Sequence, residues 1–309
     1  MAKLAFVLLL GVCAWAQSAP PAPPPTPALQ QQLWNKLHSY IEQQDRDLDG
    51  VLGVALLDLT SGEQYLLRGD EAFPQASSIK ITVLANLYLQ DQQGKLHLND
   101  LYTVNAADLV PDSFIMGGLT PGTTKITLHD LATMMVAVSD NSATNVLIDR
   151  VGMSNVNSML ESLGLHRTRL RRKMMDLNAA KQGNENIATP REMMTLLADI
   201  YQGKLLDTAH KDAFFKMLAT GKDSPIRKAV PDAVVSADKP GELEAVRADS
   251  GVVFAQNRPF VICAMTTYDQ DENAANQTIG RIAKAAYEYF DRVGRASPYG
   301  RVISPLNSR

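Results

Sequence analysis

Apolar residues return at every fourth position through 29–41, where Leu29, Leu33, Leu37 and Ile41 make one stripe. That spacing predicts a first helix. "VLGVALLDL" and "EQYLLRG" then read as strands on either side of "TSG", a β-hairpin. From Ser77 the pattern turns helical for a long stretch. "TLHDLATMMVAV" and "NVNSMLESLG" predict two helices, the second ended by Gly164. "TPREMMTLLADIYQG" carries the fullest helix signals: Thr189 as N-cap, Pro190 in the first turn, Glu192 completing a capping box, and Gly203 after the last turn. "DTAHKDAFFKMLATG" predicts a further helix. Strands resume with "AVVSADK", "SGVVFAQ" and "PFVICAMTTY", the last two joined by a turn at Asn257-Arg258. "NAANQTIGRIAKAAYEYF" predicts a closing helix.

Strands at both ends with helices between them imply an α/β chain of the α+β kind. Its parts are an antiparallel five-stranded sheet, N- and C-terminal helices flanking that sheet, and an all-helical lobe. A cleft between two such lobes is a common place for an active site. The boundaries that follow are an α/β lobe of 29–72 and 231–295, a helical lobe of 73–230, and a C-terminal tail of 296–309.

Composition narrows the partners. The chain has 309 residues, 45% of them hydrophobic, enough for a sizeable core. The formal charge is −3 and the densest basic run is "RLRRK", which argues against a nucleic-acid partner. Lys3, the apolar run "LAFVLLLGVCAW" and Ala14-Trp15-Ala16 read as a cleaved secretory signal over 1–16. The run is too short for a stable membrane span. The expected destination is periplasmic or secreted. Cys13 invites a lipoprotein reading that Val12, just before it, weakens. Residues 17–28 hold "SAPPAPPPTP", a Pro-rich linker. After cleavage Cys263 is the one cysteine left, so no disulfide forms within a chain, and its apolar surroundings suit a buried thiol. His38, His97, His129, His166 and His210 show no ligand spacing. Neither a metal nor a cofactor is expected.

Three short stretches carry candidate chemistry. In "FPQASSIKITVL", Ser77 and Lys80 stand three apart at a helix start, where a hydroxyl and an amine share a face and free N–H groups favour negative charge. In "VSDNSATN", Ser139 and Asn141 sit in a break between helices, suited to relaying a proton and holding an amide. In "ADKPG", Lys239 stands on or beside a strand, with Gly241 letting a ligand approach the backbone. Each stretch alone has an ordinary reading: a capping serine, a helix N-cap, a solvated lysine.

Together, in this order, they resemble the Ser-x-x-Lys, Ser-Asp-Asn and Lys-Thr-Gly set of class A β-lactamases and penicillin-binding proteins. The resemblance runs from about Leu29 to Phe290 and implies the β-lactamase/transpeptidase-like fold. It implies Ser77 as an acylated nucleophile, Lys80 as its proton acceptor, Ser139 as donor to the leaving nitrogen, and Lys239 as a source of positive potential. Asn141 would hold the substrate amide, and the N–H groups of Ser77 and Glu242 would form an oxyanion hole. The substrate would be a β-lactam or a peptidoglycan-type peptide or ester, and the chain a monomer.

Three positions depart from the family pattern. "RKMMDLN" keeps Arg172, Leu177 and Asn178 but has Met174 where Arg-x-Glu-x-x-Leu-Asn carries its water-activating glutamate. Pro240 replaces a hydroxyl residue, and Ser250 stands where many relatives place a carboxylate-binding arginine. Arg247 and Arg227 are candidates for that arginine's role. The expectation is a serine hydrolase whose acyl-enzyme is removed slowly. The alternatives are a D-Ala-D-Ala carboxypeptidase or esterase on the same fold, and a non-catalytic binding protein.

Overall fold

The computed structural model describes residues 28–302. The signal segment, the linker up to residue 27 and the last seven residues of the tail lie outside the described residues. The N-terminal half holds α1 (Ala28–Asp47), β1 (Val51–Asp58), β2 (Gln64–Leu67), β3 (Phe73–Pro74), a 3₁₀ turn at Ala76–Ile79 and α2 (Lys80–Gln92). Next come β4 (Leu101–Thr103), β5 (Lys125–Thr127), α3 (Leu128–Ala137), α4 (Asn141–Val151) and α5 (Met153–Ser162). Then follow α6 (Leu177–Lys181), β6 (Ile187–Ala188), α7 (Pro190–Tyr201), α8 (Thr208–Leu218) and α9 (Pro225–Ala229). The chain ends with β7 (Ser236–Leu243), β8 (Val246–Val253), β9 (Phe260–Thr267) and α10 (Glu272–Arg295).

One five-stranded antiparallel sheet, ordered β2-β1-β9-β8-β7, joins the two ends of the chain, as the sequence pattern predicts. Alternation sorts its two faces. Leu52, Val54 and Leu56 of β1, with Phe260, Ile262 and Ala264 of β9, pack with Trp34, Leu37 and Ile41 of α1 and Ile282 and Phe290 of α10. The intervening Ala55, Val261, Cys263 and Met265 join the core that holds α2, α3, α4 and α7. Both faces are covered, so the central strands read as nearly unbroken apolar runs. At Gly53 a Cβ would meet the Phe73 ring at 2.5 Å, so only glycine lets that ring close over the sheet.

Several local expectations are corrected. Leu29 is 57% exposed and does not share the buried stripe of α1. The hydroxyl of Thr189 caps α7 through the Glu192 amide at 3.1 Å, but Glu192 does not close a capping box. Its carboxylate instead accepts from the Arg167 and Thr168 amides, tying α7 to the strand-like segment before it. The full box lies at Thr127 and Asp130, at the start of α3. β7 runs past Lys239, where the predicted strand "AVVSADK" stops, through Pro240 and Gly241 to Leu243. Residues 225–230 pack with α1, α10 and the sheet through Ile226 and Val230.

Candidate active site

Ser77 sits in the 3₁₀ turn that opens α2, half-buried, and Ala76 before it is held at φ +45°. Lys80 begins α2 itself and is 1% exposed. Burial strips water from its amine and holds its pKa well below the usual lysine value. Lys239 pushes the same way, and Asp140 opposes both. Lys80 Nζ donates to the Ser139 carbonyl at 2.7 Å, to Asn141 Oδ1 at 2.9 Å and to Ser139 Oγ at 3.0 Å. Three acceptors satisfy an ammonium; once the amine is neutral, the Ser139 hydroxyl can turn and donate to it.

The 139–141 bend is fixed by Asp140. One oxygen caps α4 at the Ala143 amide (3.0 Å), and the other accepts from the amides of Ile115 (3.0 Å) and Met116 (2.9 Å). Ser139 is thereby held at φ +58°, a conformation that side chains disfavour and that tertiary contacts must impose. Lys239 reaches the same hydroxyl from the opposite wall. Its Nζ donates to Ser139 Oγ at 3.1 Å and to the Pro240 carbonyl at 2.9 Å. Burial, helped by the charge of Lys222, brings the Lys239 pKa down to about 8.

β7 is an edge strand, which is why it tolerates a proline. The Pro240 carbonyl faces away from β8, toward Lys239 Nζ, so its donor-less nitrogen faces outward too. Two residues on, the Glu242 amide points the same way. Gly241 between them lies against the Ser77 turn. A Cβ there would come within 2.4 Å of the Gln75 carbonyl and 2.9 Å of the Ser77 nitrogen.

Ser77, Ser139, Asn141, Lys239, Gly241 and Glu242 thus line one crevice of 420 Å³, with Lys80 beneath it. A larger groove of 1060 Å³ runs between α9 and α10. Its walls hold no serine, threonine or cysteine, so chemistry rather than size singles out the smaller crevice. Among the described residues no cluster of histidine, cysteine or carboxylate side chains has metal-binding geometry.

A family model described as "Beta-lactamase enzyme family" matches residues 32–290. The chain belongs to the β-lactamase enzyme family. The β-lactamase SME-1 of Serratia marcescens is 31% identical over 265 residues, covering 81% of this chain and 88% of that protein. The β-lactamase structure from Sphaerobacter thermophilus is 29% identical at a TM-score of 0.76, covering 82% and 97% of the two chains. A variant of PBP-A, solved as an acyl-enzyme complex with penicillin G, has the same fold at 24% identity and a TM-score of 0.76, covering 83% and 97%. Membership makes this chain a β-lactamase-like serine hydrolase.

Three of the residues named from sequence, Arg247, Asn178 and Arg227, are not brought to the crevice of this β-lactamase fold. Arg247 is buried and its two terminal nitrogens are bound away from the crevice. It pairs with Glu272 and donates to the carbonyls of Leu243 (2.7 Å) and Val246 (2.8 Å). Asn178 lies exposed on α6 and is absent from the crevice lining. Arg227 is likewise committed, to the Val234 carbonyl at 2.6 Å and to Asp232 at 3.3 Å. Ser250 is buried beside the Cys263 thiol, whose pKa burial pushes up to about 12. Met174 is 7% exposed and joins the apolar core. Its backbone is clamped by Asn145, which accepts from the Met174 amide (2.8 Å) and donates to its carbonyl (3.0 Å). Asp176 caps α6 and Glu185 pairs with Arg172, so both carboxylates are engaged within the loop.

The sequence pattern does not reveal two crevice features: Lys222, and the exposed rim of Asp112, Phe114 and Asp223. Nothing in the spacing around "TGKDSP" marks that lysine.

Proposed function

We propose that the protein is an exported acyl-transfer enzyme that reacts with β-lactams through Ser77 and releases the acyl group slowly. The observation that carries the reading is the Ser139 hydroxyl, shared between the amines of Lys80 and Lys239 at 3.0 and 3.1 Å. Lys80, kept poor in protons by burial, takes the Ser77 proton as Ser77 Oγ attacks the carbonyl carbon. The oxygen gains charge facing the amides of Ser77 and Glu242. On collapse the carbon–nitrogen bond breaks. Ser139 passes its proton to the leaving nitrogen and recovers one from Lys80, which holds the proton that Ser77 gave up. Asn141 positions the substrate amide, and the charge of Lys239 lowers the cost of anionic states.

Hydrolysis of the acyl-enzyme then lacks its base, because a thioether at 174 cannot take a proton from water. A general base contributes typically 10²–10⁴-fold. Met174 also favours a second reading, a penicillin-binding D-alanyl-D-alanine carboxypeptidase, although Pro240 removes a contact that the peptide's carboxylate needs.

Intact-protein mass spectrometry after mixing with benzylpenicillin tests the first reading. The expected result is a lasting adduct on Ser77 that Ser77→Ala lacks. Absence of the adduct would sink it. Release of D-alanine from a D-Ala-D-Ala peptide would favour the second reading over the first.

A further inference from the structure

The larger groove between α9 and α10 holds no nucleophile, yet it is not separate from the crevice. Asp223 and Glu242 line both, so the two cavities meet at one rim. That rim is close to the chemistry, because the proposed mechanism turns the Glu242 amide toward the substrate oxygen. From there the groove follows α10 between Asn273 and Glu288. At 1.5 Å per helical residue the distance is about 22 Å, the length of about six residues of extended chain.

The two walls of the groove differ. On the α10 side Asn273, Asn276, Gln277 and Gly280 share one face through helical spacing. The three side-chain amides make no hydrogen bond to another described residue. Gly280 leaves space between the walls: a Cβ there would meet only the Pro225 carbonyl, at 3.7 Å. On the opposite side stand Pro225, Ala229, Val230 and Pro231, an apolar wall in which the two prolines offer no N–H. Charge favours no polyion, because Asp223, Glu242 and Glu288 stand against Lys228, Arg281 and Lys284, and Asp223 pairs with Lys228. An amide side chain both donates and accepts, so a row of them matches the N–H and C=O groups of a peptide whatever its sequence. The apolar wall suits small side chains; the hydroxyls of a sugar would lose water there without gaining a partner.

We propose that this groove is the subsite for the distal acyl part of an extended, peptide-like substrate, whose reacting carbonyl lies at Ser77 and whose chain crosses the rim between Asp223 and Glu242. The edge strand β7 leads along the same path, since its free edge runs from Lys239 in the crevice to Glu242 at the rim. The part of the groove in acyl transfer rests on the acyl-enzyme reading above; its affinity for a peptide does not.

The test compares acylation by benzylpenicillin with acylation by a penicillin whose phenylacetyl group is replaced by the peptide Ala-Gly-Ala-Gly-Ala-Gly, each followed by intact-protein mass spectrometry. Both compounds present the same ring to Ser77, so the ratio of their rates isolates the acyl chain. The peptidyl compound should react about tenfold faster in the wild type. Gly280→Trp fills the groove and should erase that preference while the benzylpenicillin rate stays as it is. Asn276→Ala combined with Gln277→Ala leaves the groove open and should remove part of the preference. A ratio near one in the wild type, or a preference that survives Gly280→Trp, overturns the subsite and leaves acylation standing. No adduct from either compound overturns the acyl-enzyme reading instead. NMR with the free N-acetylated hexapeptide then decides the groove: shifts of the Asn276 and Gln277 side-chain amide signals keep it as a peptide site, and their absence strikes it. Larger shifts with N-acetylchitotetraose than with the peptide would make it a glycan groove and overturn the assignment.

Discussion

The crevice floor and the loop of residues 172–186, which meets the serine turn where the Gln75 amide donates to the Asn186 carbonyl at 2.9 Å, are built with similar means. On the floor, Asp140 holds the 139–141 bend through three backbone amides, and Lys80 and Lys239 meet at one hydroxyl. In the loop, Asn186 Oδ1 accepts from the Arg171 and Arg172 amides at 2.7 and 3.1 Å, and Arg172 Nε reaches Glu185 at 2.7 Å. Asn145 of α4 grips Met174 on both backbone sides. Both regions bury polar groups and satisfy them. Only the floor brings amines and a hydroxyl into hydrogen-bond contact within the crevice. In the loop the corresponding side chain is a buried thioether, and its two carboxylates are engaged in a cap and an ion pair. Scaffold and chemistry are therefore separable here: backbone polar groups must be satisfied whichever side chain they present.

Restoring the missing group is the sharpest way to break that contrast. Met174→Glu keeps the Asn145 clamp, which uses only backbone atoms of residue 174, and presents a carboxylate from it. Loss of the benzylpenicillin adduct should quicken by about 10²–10⁴-fold. The same change moves a carboxylate into an apolar core, so a fall in thermal stability should accompany the gain. An adduct lifetime that does not change would mean that the loop, even with its carboxylate, holds no water in position.

A smaller effect should come from the floor. Gly241→Ala sets a methyl against the Gln75 carbonyl and the Ser77 and Ser78 nitrogens, all backbone atoms that cannot swing aside. The strand must retreat from the serine turn, spreading the amides that face the substrate oxygen. Displacement of this kind costs roughly 10²-fold in acylation. Stopped-flow rates with nitrocefin would measure it; a change of less than about threefold would place the oxyanion donors elsewhere.

Much of this arrangement is legible in the order of the amino acids alone. The five strands and the long helices carry their periods openly, because each has a face that must meet the core. The three motifs are short, and each helix-end residue has a local reason to be there. What the order of residues conceals depends on distant partners. Arg247 looks free in sequence, but Glu272, across a turn and a strand, claims it. Glu192 has the right spacing to close a box, yet the amides at 167 and 168 hold its carboxylate away from the N-cap amide. Asn178 follows the family pattern, but its helix turns it to solvent. Lys222 sits in no motif, yet the fold brings it to the same crevice as Ser77 and Lys239.

The smallest predicted effect concerns pH, and it sets rate against stability on the floor alone. The proposed mechanism uses Lys239 as a cation, and burial brings its pKa down to about 8, so acylation should fall by up to about tenfold per pH unit above that value. Stability should move the other way. Burial depresses the folded pKa of Lys239, so between about 8 and 9.5 the unfolded chain binds more protons than the native one. Stability then rises with pH, by at most about 1.4 kcal/mol per unit for one group. Lys80 and Lys222 are depressed by the same cause and add in the same sense over their own windows. The trend must reverse above about pH 10, the ordinary tyrosine value, because burial raises Tyr65, Tyr88 and Tyr289 to about 12 and the unfolded chain then loses its protons first. Chemical denaturation of the wild type and of Lys239→Met across pH 7.5–9.5 checks the assignment. The variant should show the flatter profile. Equal slopes would mean that Lys239 keeps its proton in the folded protein throughout this range, and that the alkaline limb of acylation has another source.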